Sequence, residues 1–140
     1  MFLTIHDVVA LSGLSRAQID LLISRHGVAV RGRAAPGEGR RFVKADALRF
    51  AIAGELARLG LNQPRISDAL ASLKGLTNDL HAHMADISSP QIVLSVDAAG
   101  NLAADVVDAC KHAPCLRMSI VIDARPLLAR IERQIAGASA

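Results

Sequence analysis

Near the N-terminus, Ser12-Gly13-Leu14-Ser15 separates two short apolar-faced segments, and no other stretch limits the fold as much. Upstream, Thr4 and Asp7 read as a hydroxyl cap with an acid in the first turn. Val8, Val9 and Leu11 supply an apolar face, so a helix is expected from about residue 4 to 11. Ser12-Gly13-Leu14 interrupts it, and Ser15-Arg16-Ala17-Gln18 is a capping-box pattern that starts a helix again at once. Ile19, Leu22 and Ile23 recur at i, i+3, i+4, which predicts a second helix from about 15 to 25. Two short helices across a tight Gly-containing turn form a helix-turn-helix pattern. In that arrangement the start of the second helix faces base edges in the major groove. Here that stretch holds Arg16, Ala17, Gln18 and Asp20, and Arg and Gln carry the paired donors and acceptors that suit guanine and adenine edges.

A hairpin signature comes next in the chain. Val28-Ala29-Val30-Arg31 and Arg40-Arg41-Phe42-Val43 are β-prone runs around the Gly- and Pro-rich stretch from Gly32 to Gly39. A hairpin in this place is a wing, and its arginines Arg31, Arg33, Arg40 and Arg41 would lie along a phosphate backbone. The stretch is no nucleotide-binding loop, because it lacks the G-K-[ST] ending and the strand-to-helix setting. A third helix is expected through Leu48, Ile52, Leu56 and Leu59, with Gly60 as its stop. A fourth starts near Asn62-Gln63-Pro64 and carries Ile66, Leu70 and Leu73. Phe2, Phe42 and Phe50 are expected in the core, with Phe42 bracing the wing against the third helix.

Charge supports the same surface. Residues 1–65 carry 10 Lys+Arg against 5 Asp+Glu, whereas residues 66–140 carry 6 against 8. The excess is steepest through Arg25, Arg31, Arg33, Arg40, Arg41, Lys44 and Arg49, offset by Glu38 and Asp46. A basic N-terminal half is what a phosphate-binding surface needs. Three Phe, no Trp and no Tyr argue against a stacking platform for single strands, because bases need rings to lie on. Double-stranded DNA is therefore the expected partner.

The order of two helices, a wing and two helices resembles the DNA-binding domain of the MerR family of transcription regulators, over roughly residues 2–74. The residues that carry the resemblance are Leu3-Thr4-Ile5 through Leu11, the turn Ser12–Ser15, the wing exit Gly39-Arg40-Arg41-Phe42, and Leu59-Gly60-Leu61. An Arg-x-aromatic step at the wing exit is typical of the family, and Arg40 followed by Phe42 fits it. The resemblance implies Arg16, Gln18, Arg40 and Arg41 as DNA contacts. Two features depart from the family. The second helix reads Asp20-Leu21-Leu22 where an Arg and aromatic pair is common. The long coiled-coil helix through which the family dimerises is absent, since Gly75 and the polar stretch up to Pro90 break any heptad run.

The C-terminal part reads differently. A connector over 76–90, with a short helix within Thr77–Asp86, leads to alternation through Ile92, Leu94 and Val96. Asp97–Asn101 is a turn, and Leu102 to Val107 returns as a second strand in preference to a helix. Leu116, Met118, Ile120 and Ile122 alternate as a third strand. Asp123 caps a last helix with Leu127, Leu128, Ile131 and Ile135 inward. A module of this size is marginal alone, so it is expected to pack on the first domain or on a second copy.

Cys110, His112 and Cys115 form a C-x-H-x2-C spacing with ligand types that suit zinc or copper. The plainer reading, free thiols beside an incidental histidine, is adopted, and no metal and no cofactor is expected. There is no nucleophile elbow and no H-E-x-x-H, so no enzyme is expected. Apolar runs fall well short of the ~20 residues of a membrane helix, and the start carries no signal-peptide pattern, which together predict a cytoplasmic protein without membrane contact.

The expected class is α+β: a MerR-like winged helix-turn-helix over 1–75, a connector over 76–90, and a small α+β module over 91–140 for dimerisation or for binding an unidentified ligand or partner. The expected function is a homodimeric, sequence-specific regulator of transcription that binds double-stranded DNA through Arg16, Ala17, Gln18, Arg31, Arg33, Arg40 and Arg41. The alternatives are an accessory protein for phage-type DNA packaging or excision, a protein-interaction module, and a metal or small-molecule sensor.

Overall fold

A computed structural model describes residues 2–28, 30, 32, 34–35, 39–73, 86–96, 98–110 and 120–138. Among these residues, the protein is an α+β fold of five helices, a three-stranded sheet and a short two-stranded ribbon.

Each of the first helices starts where the local chemistry dictates. Helix α1 (Ile5–Ser12) is capped by Thr4, whose Oγ1 accepts from the Asp7 N–H, while the Asp7 carboxylate accepts from the Thr4 N–H at 2.8 Å. It ends at Gly13, which takes a left-handed φ of 71° and donates to the Val9 carbonyl. Ser12 is buried in the bend. Its hydroxyl donates to the Val8 carbonyl at 2.7 Å and accepts from the Leu14 N–H at 3.1 Å, so the turn leaves this buried hydroxyl satisfied. Helix α2 (Arg16–Ser24) then restarts on a Ser15–Gln18 capping box. Both helices match the expected spans to within about two residues.

Strands β1 (Ala34–Ala35) and β2 (Gly39–Arg40) form the ribbon, in antiparallel register Ala34↔Arg40 and Ala35↔Gly39. This is a correction to the expected runs 28–31 and 40–43. The chain after Arg40 leaves the ribbon to pair elsewhere: Phe42 and Leu3 exchange both backbone hydrogen bonds, at 2.8 and 2.9 Å. The tie suits the interior, since both side chains are fully buried. Phe42 meets Phe50 edge-to-face at 5.9 Å, so it braces the ribbon as expected. Phe2 does not join the core; it is 51% exposed, one residue beyond the pairing that buries Leu3.

Helix α3 (Lys44–Arg58) runs through the middle of the molecule. It is buried from Ala45 to Gly54 and again at Leu56, because α1, helix α4 (Gln63–Ser72) and the C-terminal helix α5 (Arg125–Ala138) all pack on it. Leu59, expected on its apolar stripe, is exposed beyond its C-terminal end. Helix α4 begins on Asn62, whose side chain accepts from the Arg65 N–H, and buries Ile66 and Leu70, with Leu73 buried just after it.

In the C-terminal part, β3 (Pro90–Val96) lies between β4 (Leu102–Asp108) and β5 (Ile120–Asp123), antiparallel to both. Ile92 pairs with Val106 and Ile122, and Leu94 with Ala104 and Ile120, which puts one apolar row on the inner face. That face meets α4, where the Ala104 N–H donates to the Ser72 hydroxyl. The expected second strand after the turn is therefore present. Of the expected third strand, residues 116–119 lie outside the described residues, as do residues 76–85 of the connector and with them most of the expected short helix.

Helix α5 buries Leu127 and Ile131 against α1 and α3. Polar pairs flank this seam: Arg130 with Glu55 at 2.9 Å, Lys44 with Glu132 at 3.1 Å, and Gln134 with Asp7 at 2.8 Å. One buried cluster thus extends from Leu3 to Ile131. Among the described residues, no helix is long and apolar enough to cross a membrane.

Gly54 marks the closest approach of α1 and α3, because a Cβ there would overlap the Ser12 carbonyl. Helix propensity alone favours Ala by about 1 kcal/mol. With the overlap, Gly54→Ala is expected to destabilise by a net ~1–3 kcal/mol in urea unfolding. A gain in stability would show that the two helices do not approach this closely.

Candidate nucleic-acid interface

Three separate segments line one cleft of about 840 Å³. Residues Phe2–His6 come from the N-terminal strand and the start of α1, Arg16 and Asp20 from α2, and Gly39–Arg41 from β2 and the chain beyond it. Arg16, Ala17, Gln18 and Arg40 are exposed, and Arg41 is half-buried. The first turn of α2 and the ribbon exit therefore open onto the same side. Arg31 and Arg33, also expected here, lie outside the described residues.

The geometry is set from below by one carboxylate. Asp46, in the first turn of α3, is fully buried. Its Oδ2 accepts from the Gly32 N–H at 3.1 Å and from the Val43 N–H at 3.0 Å, and its Oδ1 faces Arg49 Nη1 at 3.3 Å. Gly32 and Val43 are the two feet of the loop that carries the ribbon. Gly32 is also pressed against the Arg41 carbonyl so closely that a Cβ would overlap it. Both feet are thereby fastened to α3, and Arg40 and Arg41 emerge at a fixed place beside α2.

The basic stretch is corrected at Arg49. Arg49 belongs to the charge excess expected to serve a phosphate-binding surface, yet it is 2% exposed and is the partner of Asp46. Lys44 is engaged by Glu132 of α5. An i, i+3 Asp–Arg pair at the start of a helix looks like any solvated pair in sequence. Only the packing of α1, α4 and α5 around α3 makes it internal.

Two details at the cleft come from side-chain geometry. The guanidinium of Arg41 sits 5.7 Å from the centroid of the exposed Phe2 ring, a cation–π contact that holds the side chain at the cleft. Gln18 has a second occupation: its Oε1 accepts from the Ser15 N–H at 2.8 Å to close the capping box. A Gln that reads adenine needs that oxygen for the base, so capping and base reading compete for one group.

The segment that forms the back of the cleft is held by Asp7. Burial works against its ionisation, but hydrogen bonds from the Thr4 N–H, the Thr4 hydroxyl and Gln134, with His6 nearby, outweigh this and keep the carboxyl below its ordinary 3.8. At the start of α5, Arg125 lowers the carboxyl of Asp123 by direct hydrogen bonds.

Of the C-x-H-x2-C spacing, Cys110 is exposed, and His112 and Cys115 lie outside the described residues. Among the described residues, no three His, Cys, Asp or Glu side chains gather as a metal site would need. No family model matches the chain, and no curated protein matches it.

Two outcomes are expected. Asp46→Ala leaves a buried guanidinium and two backbone N–H groups without this acceptor, and should cost about 3–5 kcal/mol in urea unfolding; a loss below about 1 kcal/mol would contradict its burial. Asp7→Asn should cost roughly 1 kcal/mol at neutral pH, as a weakened cap does. A carboxyl held below 3.8 stabilises the fold above its unfolded value and loses that contribution as pH falls through the folded value. The gap between variant and wild type should therefore close in unfolding curves run at acid pH, and a constant gap would contradict the charged hydrogen bonds.

Proposed function

We propose that the N-terminal half is a winged helix-turn-helix of the MerR-like kind, and that the protein is a sequence-specific regulator of transcription that binds double-stranded DNA. The observation that carries this reading is the shared cleft: Arg16 of α2 and Arg40 and Arg41 of the ribbon exit line it together. A duplex offers a groove edge beside a phosphate ridge, and a helix start beside a basic ribbon is the complementary shape. Arg16 faces base edges, with Ala17 small enough to let them approach. Arg40 and Arg41 grip phosphate, together with Arg31 and Arg33.

The protein acts as a homodimer, because one such unit buries a small interface and pairing doubles it. The C-terminal module supplies pairing or an effector site. Its helix α5 lies on α1 and α3, the two helices that hold the cleft, so a change there has a short mechanical route to the DNA-binding side. No catalytic role is proposed.

Titration of a labelled duplex across salt concentrations tests the reading. About four phosphate contacts per subunit give a log–log slope near −7 for a dimer, at roughly −0.9 per contact. Arg41→Ala should weaken every duplex alike and make the slope shallower by about 2 per dimer. An affinity indifferent to salt, or no affinity for duplex DNA, would contradict the proposal.

A further inference from the structure

We infer that Asp20 positions Arg16 to read a guanine, so that the α2 side of the cleft selects sequence while the ribbon side grips phosphate. The inference rests on the DNA-binding reading. It starts from an oddity of charge: among the described residues, three guanidinium groups and one carboxylate, that of Asp20, line the same cleft. A surface that only gripped phosphate would gain nothing from a carboxylate, which repels the backbone at contact distance.

Its location explains what it does. Asp20 lies one helical turn after Arg16, and its Oδ2 is 3.8 Å from Arg16 Nε. The pair is exposed, at 72% and 57% of the two side chains, so in water it contributes little to stability. Against a duplex that excludes water the same attraction strengthens. It takes up the inner, Nε side of the guanidinium. The two Nη groups at the far end remain as the paired donors that match guanine O6 and N7. The carboxylate also penalises any pose in which Arg16 swings to a phosphate, since Asp20 would approach that phosphate too.

The neighbouring side chains narrow the choice of base. Gln18 is the adenine-type reader in this turn, but its Oε1 already accepts from the Ser15 N–H, and swinging the side chain out to a base would give up that half of the capping box, the Ser15 hydroxyl still capping the Gln18 N–H. Arg41 lies over Phe2 on the ribbon side of the cleft. Arg16 is thus the side chain in the first turn of α2 with its recognition atoms available, and guanine is the base that fits them. Asp20 acts here through Arg16, as a positioning residue.

The test uses the full chain and a duplex selected from a random pool. Each guanine is replaced in turn by 7-deazaguanine, which removes the N7 acceptor, and a duplex of alternating A·T pairs serves as the non-specific probe. Wild type should lose about tenfold in affinity at one guanine per half-site, and Arg16→Ala should abolish that dependence. Asp20→Asn should shrink the dependence to under about threefold and bind the A·T duplex more tightly, as expected when a repelling charge leaves a phosphate-facing surface. Asp20→Glu, which keeps a carboxylate one turn on, should restore discrimination. Both positions are well exposed, so unchanged thermal melting of all variants is expected. Full guanine dependence in Asp20→Asn, or a wild type that binds duplex yet ignores every guanine, would overturn the inference and leave the DNA-binding reading standing. A wild type without affinity for any duplex would overturn both.

Discussion

Both feet of the ribbon loop hang on one buried carboxylate. Asp46 accepts from Gly32 on the way in and from Val43 on the way out, and is neutralised by Arg49 within the same helix. Among the described residues the ribbon pairs two residues per strand, and so short a ribbon has little stability of its own. Its position therefore depends on how its ends are fixed. Burying a carboxylate is costly unless its charge and lone pairs are met, and here Arg49 and two backbone N–H groups meet them. With both oxygens engaged, the two feet of the loop are held to α3, and Arg40 and Arg41 leave it beside α2.

The N-terminal strand completes this frame. Leu3 pairs with Phe42 just after the ribbon, and the next residues start α1. One stretch of backbone thus links the ribbon exit to the helix pair, and Asp7 continues the link to α5 through Gln134. The C-terminal part is not a separate weight on a tether: its helix fills the side of α3 that α1 and α4 leave open. This explains how α3 is buried on nearly every side although its sequence, rich in Ala with Asp46 and Arg49 inside, shows only a modest apolar stripe. It also explains why so small a C-terminal module holds together, since its apolar face is shared with the rest of the core.

The parts of this arrangement that were legible in the sequence are those set within a few residues. Thr4, Ser15 and Asn62 start helices where their side chains can accept backbone N–H groups, and Gly13 ends one where φ is positive. The stripe Ile66, Leu70, Leu73 and the alternation Ile92, Leu94 announce buried faces because their periods match a helix and a strand. What was not legible depends on distant partners. The burial of Arg49 comes from three helices meeting around α3. The exposure of Phe2 comes from the pairing that turns Leu3 inward and Phe2 outward. Phe42, expected in the second ribbon strand, pairs instead with Leu3. The competing demands on Gln18 were present in the sequence as two separate motifs, and only the hydrogen bond to Ser15 shows that they share one oxygen atom. For the cleft, the residue types were readable and their convergence was not.

The central claim is that the start of α2 and the ribbon exit form one surface for duplex DNA. Amide hydrogen exchange of the full chain, with and without a selected duplex, tests it most directly. The expected result is joint protection of residues 15–20 and 39–42 on adding DNA, with the β3–β4 hairpin unchanged. Protection of one segment without the other, or protection confined to the C-terminal sheet, would contradict it.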